Sequence, residues 1–121
     1  MANEINIQAA LRLVNGPLNA NQTIQDTADQ TTAGALQNKQ TIATGGSTIS
    51  FSGLTAARWV CIQNTDAANY VDIGPDSGGS LVGMIRLKAG ECCILPLKPS
   101  TTIKAIANTS AVVIALLALE T

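Results

Sequence analysis

The 121-residue sequence predicts an all-β protein, an antiparallel β-sandwich or jelly-roll-like barrel with an extended amino-terminal arm. Three observations carry this expectation. Apolar and polar residues alternate over residues 5–13, the period-two signature of a half-buried strand. From residue 46 onward, short runs rich in Val, Ile and Thr are cut by Gly, Pro and Asn roughly every 8–12 residues, the spacing of sandwiches and barrels. Residues 15–48, by contrast, hold only four large apolar side chains, Leu18, Ile24, Leu36 and Ile42. Such a stretch buries too little surface to order strongly by itself.

The elements follow in chain order. Ile5, Ile7, Ala9, Leu11 and Leu13 make one apolar face of a first strand, and Asn15-Gly16-Pro17 stops it with turn residues. Residues 15–48 read as a surface loop, a weak edge hairpin, or an arm ordered against another subunit. Residues 48–51 are a short alternating run. Residues 58–63 and 69–74 flank a polar loop and read as a hairpin. In the segment 75–79, proline fixes φ and Gly78-Gly79 admit positive φ, which makes a turn. Residues 81–87 form a further strand, and residues 88–91 turn into a strand over 92–97. Pro96 and Pro99 close that strand, because proline cannot donate to a ladder. Residues 101–107 and 111–119 read as a final pair. Val112, Val113 and Ile114 favour strand over helix in the last segment, which reads as a central strand buried on both faces. The chain divides into residues 1–45, an arm or edge-strand segment for contacts between subunits, and residues 46–121, a compact sandwich.

Composition narrows the function. Charged residues make up 12% and the formal net charge is -1. Thirteen Thr, nine Asn, seven Gln and seven Ser far outnumber the 15 charged residues. Histidine is absent, which removes the commonest general base and the commonest zinc ligand. The dispersed Lys and Arg offer no concentrated basic face for nucleic acid. No stretch has the roughly 18 apolar residues of a membrane span. Met1-Ala2-Asn3-Glu4 lack the basic start and apolar core of a signal peptide. Three cysteines, two of them adjacent, make no disulfide framework and point to a reducing compartment during folding.

No chemical constellation emerges from the motifs. Cys92 and Cys93 point to opposite faces of one strand, have no histidine to activate them, and read as small buried hydrophobes. Asp72 and Asp76 are the one carboxylate pair placed to converge, yet no calcium-loop spacing surrounds them. Gly45-Gly46 and Gly78-Gly79 lie in no phosphate-binding pattern. Trp59 and Tyr70 read as core anchors. No catalytic residue, cofactor or metal is therefore expected, and the chain is best explained by what its surfaces pack against.

Several segments resemble a set of small structural proteins of tailed bacteriophages. They are residues 1–18, ending in Asn15-Gly16-Pro17-Leu18, and the segment Gln63-Asn64, Asn69-Tyr70-Val71 and Ile73-Gly74-Pro75. Leu87-Lys88-Ala89-Gly90-Glu91 leading to Leu95-Pro96-Leu97, and Ile103-Lys104-Ala105 with Ala111-Val112, are similar too. The likeness is weak across residues 19–48 and rests on turn-and-strand signatures. It implies a virion protein with a β-sandwich domain, most like a head decoration (cement) protein. The implied partners are the major capsid protein and neighbouring copies, in a homo-oligomer, trimer or dimer. The implied location is the capsid surface, after synthesis in the host bacterial cytoplasm. The family carries no catalytic residues to transfer. The interface arm would present Ile5, Ile7, Leu11, Leu13 and Leu18, adding a strand to a neighbouring sheet. Two other readings stay open: a tail, baseplate or head–tail junction component, and a carbohydrate- or receptor-binding module using an exposed Trp59 or Tyr70.

Overall fold

The computed structural model describes residues 4–31 and 34–121. Strand makes up 59% of the described residues and no helix forms among them, so the all-β expectation holds. The chain forms two compact units, divided at residues 33 and 34.

The first unit is a single long hairpin. Strands β1 (Ile5–Asn15) and β2 (Leu18–Ala28) pair antiparallel along their whole length, from Ile5 opposite Ala28 to Asn15 opposite Leu18. The two-residue connection fits the twist of such a ribbon. Gly16 takes φ +56°, and the ring of Pro17 holds the next φ negative, the primed arrangement that hairpins favour.

The second unit is a sandwich of two antiparallel sheets. Its strands are β3 (Ala35–Ile42), β4 (Ser47–Thr48), β5 (Trp59–Asn64), β6 (Val71–Ser77), β7 (Ser80–Leu81), β8 (Ile85–Leu87), β9 (Cys92–Pro96), β10 (Ile103–Ala107) and β11 (Val112–Leu119). One sheet has the order β3-β11-β5-β9; the other runs β4-β10-β6, with β7 and β8 both pairing along the far side of β6. Setting aside the short β7, the chain crosses between sheets at nearly every step. That strand order is a jelly roll.

The core lies between the sheets and draws on both. Val60 and Ile62 on β5 meet Val112, Ile114, Leu116 and Ala118 on β11 from one side. Val71 and Ile73 on β6 and Ile103, Ala105 and Ala107 on β10 close it from the other. All of these occupy alternate positions along their strands, so each strand turns one face inward. Each fully buried Ile or Val contributes about 1.5–3 kcal/mol relative to exposure.

Several expectations are corrected. The division expected between residues 45 and 46 falls ahead of β3, because Leu36 and Ile42 bring β3 onto the edge of β11 and into the sandwich unit. Residues 58–63 and 69–74 do not form a hairpin. β11 and β9 occupy both edges of β5, so the chain crosses to the opposite sheet before β6. Nor do residues 101–107 and 111–119 pair with each other: both bury their alternate residues into one core from opposite sheets. The strand expected over 81–87 is divided into β7 and β8. β11 is central as expected, but only one of its faces is buried.

Candidate functional site

Cross-strand partners share a face in an antiparallel ribbon, so the register of the hairpin sorts its side chains. On one face the rungs beyond Ile7 are Ala9 with Ile24, Leu11 with Gln22, Leu13 with Ala20, and Asn15 with Leu18. None of these eight residues is charged. The other face carries Gln8 with Gln25, Ala10 with Thr23, Arg12 with Asn21, and Val14 with Asn19. The ribbon is thus amphipathic. Its apolar face is open along the outer rungs: Leu11 is 79% exposed, Leu18 56%, Ile24 54% and Leu13 45%. Of the five residues expected in an interface arm, Ile5 and Ile7 are buried, whereas Leu11, Leu13 and Leu18 stand exposed on one face.

The sandwich has an unusual outer surface of its own. In most antiparallel sheets the outward face is polar. The β4-β10-β6-β8 sheet follows this rule, with Lys104, Asp72 and Arg86 pointing away from its core. The other sheet does not. Its outward rows run Leu119–Trp59–Pro96 and Leu117–Cys61–Ile94, followed by Ala115–Gln63–Cys92 and Val113. Ile94, Val113 and Leu117 are each more than a third exposed. Lys39 on edge strand β3, opposite Ala115, is the only charged residue in these rows. A shallow groove of about 410 Å³ crosses the face between Gln37, Cys61, Gln63 and Leu117.

The remaining polar groups form structural clusters. Asn64, at the end of β5, is fully buried. Its amide donates to the carbonyls of Asn69 (2.8 Å) and Leu87 (3.0 Å), and its side-chain oxygen accepts from the Asp66 N–H (2.9 Å). Asp66 accepts in turn from the N–H groups of Asn69 (2.6 Å) and Ala68 (2.8 Å). Those backbone donors hold its carboxyl below the usual carboxylate range. The buried carboxylate of Glu120 accepts from the N–H groups of Thr55 and Ala56, which fixes the loop before β5.

Asp72 does not converge with Asp76. It pairs across strands with Arg86 through two charge-assisted bonds of 2.7 and 2.8 Å. The guanidinium lowers the Asp72 pKa, and the carboxylate raises that of Arg86. Arg86 also lies over the ring of Tyr70, 3.9 Å from its centroid. That ring face is therefore covered, which removes it as a stacking platform for a sugar.

Tyr70 and Trp59 are half-buried, and neither belongs to the core cluster, so the expectation of two core anchors is not met. Cys92 is exposed, Cys61 and Cys93 are half-buried, and all three thiols are free. Burial, aided by the neighbouring thiols, pushes the Cys93 pKa up to about 11 and raises that of Cys61. Among the described residues, no group of three or more Cys, Asp or Glu side chains is placed to hold a metal ion.

Sequence reasoning missed Ile24 and the outward row of β11. Ile24 is isolated among polar residues, so no periodicity marks it. The unbroken apolar run over residues 111–119 concealed which of its positions face outward. Comparison with protein-family models, curated proteins and solved structures found no match to this chain.

Proposed function

We propose that this chain is a structural protein of a tailed-bacteriophage virion, a decoration or cement protein that binds the assembled capsid lattice and stabilises it. Its partners on this reading are the major capsid protein and neighbouring copies of itself, and its place is the capsid surface. The observation that carries the proposal is the hairpin, a long ribbon with an uncharged apolar face exposed on its outer rungs. A two-stranded ribbon has little packing of its own, so its exposed outer rungs are suited to being ordered by a partner. The jelly roll supplies a rigid block, and the motif resemblance points in the same direction. Three free thiols suit synthesis in a reducing cytoplasm.

The mechanism is linkage. A protein that binds only the assembled shell stabilises that state, by about 2.7 kcal/mol per site at a free concentration one hundred times its Kd. Many equivalent copies add avidity to modest single contacts. The test is to add purified protein to capsids of the parent phage stripped of it. Saturation at hundreds of copies per particle, with a raised temperature of capsid disruption, is the expected result. Saturation at six or twelve copies identifies a tail or junction component instead. Absence of particle binding together with a glycan-array signal identifies a carbohydrate-binding module.

A further inference from the structure

We infer that the exposed apolar face of the hairpin docks on the outward face of the β3-β11-β5-β9 sheet of a second copy. The chain carries two exposed apolar faces, and they match in length. The open rungs of the hairpin span Ala9 to Asn15, and the outward row of β11 spans Val113 to Leu119. Each is seven residues, about 24 Å at ~3.4 Å per residue. The two faces are electrostatically compatible. The hairpin rungs hold no charge, and the sheet face holds Lys39 at its edge and the Arg58 guanidinium over the Trp59 ring at its end. Neither face carries a carboxylate, and Lys39 on the edge strand can keep its ammonium in water while the Leu and Ile side chains come together. The groove beside Cys61 and Leu117 gives a projecting Leu11 a place to enter.

Area decides between a single contact and a closed assembly. The four exposed hairpin side chains offer about 400 Å², at about 100 Å² for each Leu or Ile. The partly exposed rows of the sheet offer a further 300 Å² or so, by the same measure. One contact of about 700 Å² falls short of the roughly 1,000 Å² a specific interface needs. If two copies exchange hairpins, the one interface between them holds both contacts, about 1,400 Å², and the assembly closes as an exchanged pair. The inference specifies how the arm reaches neighbouring copies in the proposed function, and it is measurable without a capsid.

The test uses the intact purified chain in sedimentation velocity at micromolar concentration, with Leu11→Arg as an arm-defective variant and Leu117→Asp as a sheet-defective one. Both positions are exposed, so unchanged thermal midpoints are expected for both. Should Leu117→Asp fail to fold, Ile94→Asp probes the same face. The wild type should sediment as a closed oligomer, and each variant should lose at least tenfold in self-association. An equimolar mixture of the two variants keeps one intact arm-to-sheet contact per pair, so it should associate more weakly than the wild type but more strongly than either variant alone. A monomeric wild type, unaffected single variants, or a mixture no more associated than either variant alone overturns the inference. Loss with Leu11→Arg alone, while the sheet variant associates normally, also overturns it in favour of hairpin packing on hairpin. Capsid binding is read separately, so failure here leaves the proposed function standing.

Discussion

Gly74 is buried on β6, and the carbonyl oxygen of Val82 lies 1.9 Å from where a Cβ would be. The obstacle is backbone, which cannot swing aside as a side chain can. Gly74→Ala should therefore cost about 1–3 kcal/mol or more, read as a lowered denaturation midpoint. Asn64 is the polar counterpart. Its side chain satisfies two carbonyls and one N–H in a site closed to water. Asn64→Ala should cost about 3 kcal/mol in chemical denaturation, since it orphans buried groups as well as removing bonds. Asp66 adds a pH dependence. Its folded pKa is depressed, so its contribution is complete above the ordinary carboxylate range and is lost as pH falls through the folded value. Asp66→Asn should be less stable than wild type at pH 7. The gap should narrow as both are titrated below about pH 4, near the unfolded carboxylate value.

The strands differ in how far their own residues announce them. β1 was legible because its alternation and its Asn15-Gly16-Pro17 stop are local. β2 was not: Leu18 and Ile24 are its only large apolar residues, and its extended form depends on backbone pairing with β1. β3 was obscured for the same reason, since it is held by a partner 70 to 84 residues away in sequence, from Ile42 opposite Val112 to Ala35 opposite Leu119. The expected hairpin over residues 58–74 failed because nearness in sequence favours local pairing, whereas both edges of β5 are filled by distant strands. The two faces of β11 give a direct test. Ile114→Ala, pointing into the core, should cost about 2–5 kcal/mol. Val113→Ala, pointing outward, should stay within about 0.5 kcal/mol. Equilibrium denaturation of the pair checks both.

For the whole molecule, the all-β fold class was readable, but the apolar outward sheet face was not. Facing depends on register, and register is set by partners far away in the chain. The two units should also differ in stability. Hairpin amides in the dilute monomer should exchange with solvent orders of magnitude faster than those of β5 and β11, measured by hydrogen–deuterium exchange. The placement of the thiols has a practical consequence. Cys92 lies exposed on the apolar outward face, whereas Cys93 points inward with its pKa pushed up to about 11. An alkylating reagent at mildly alkaline pH will mark Cys92 well before Cys93. The native chain thus carries its own footprinting probes, Cys92 foremost with the half-buried Cys61 behind it, and whatever covers that face can be timed by the slowing of the mark at Cys92.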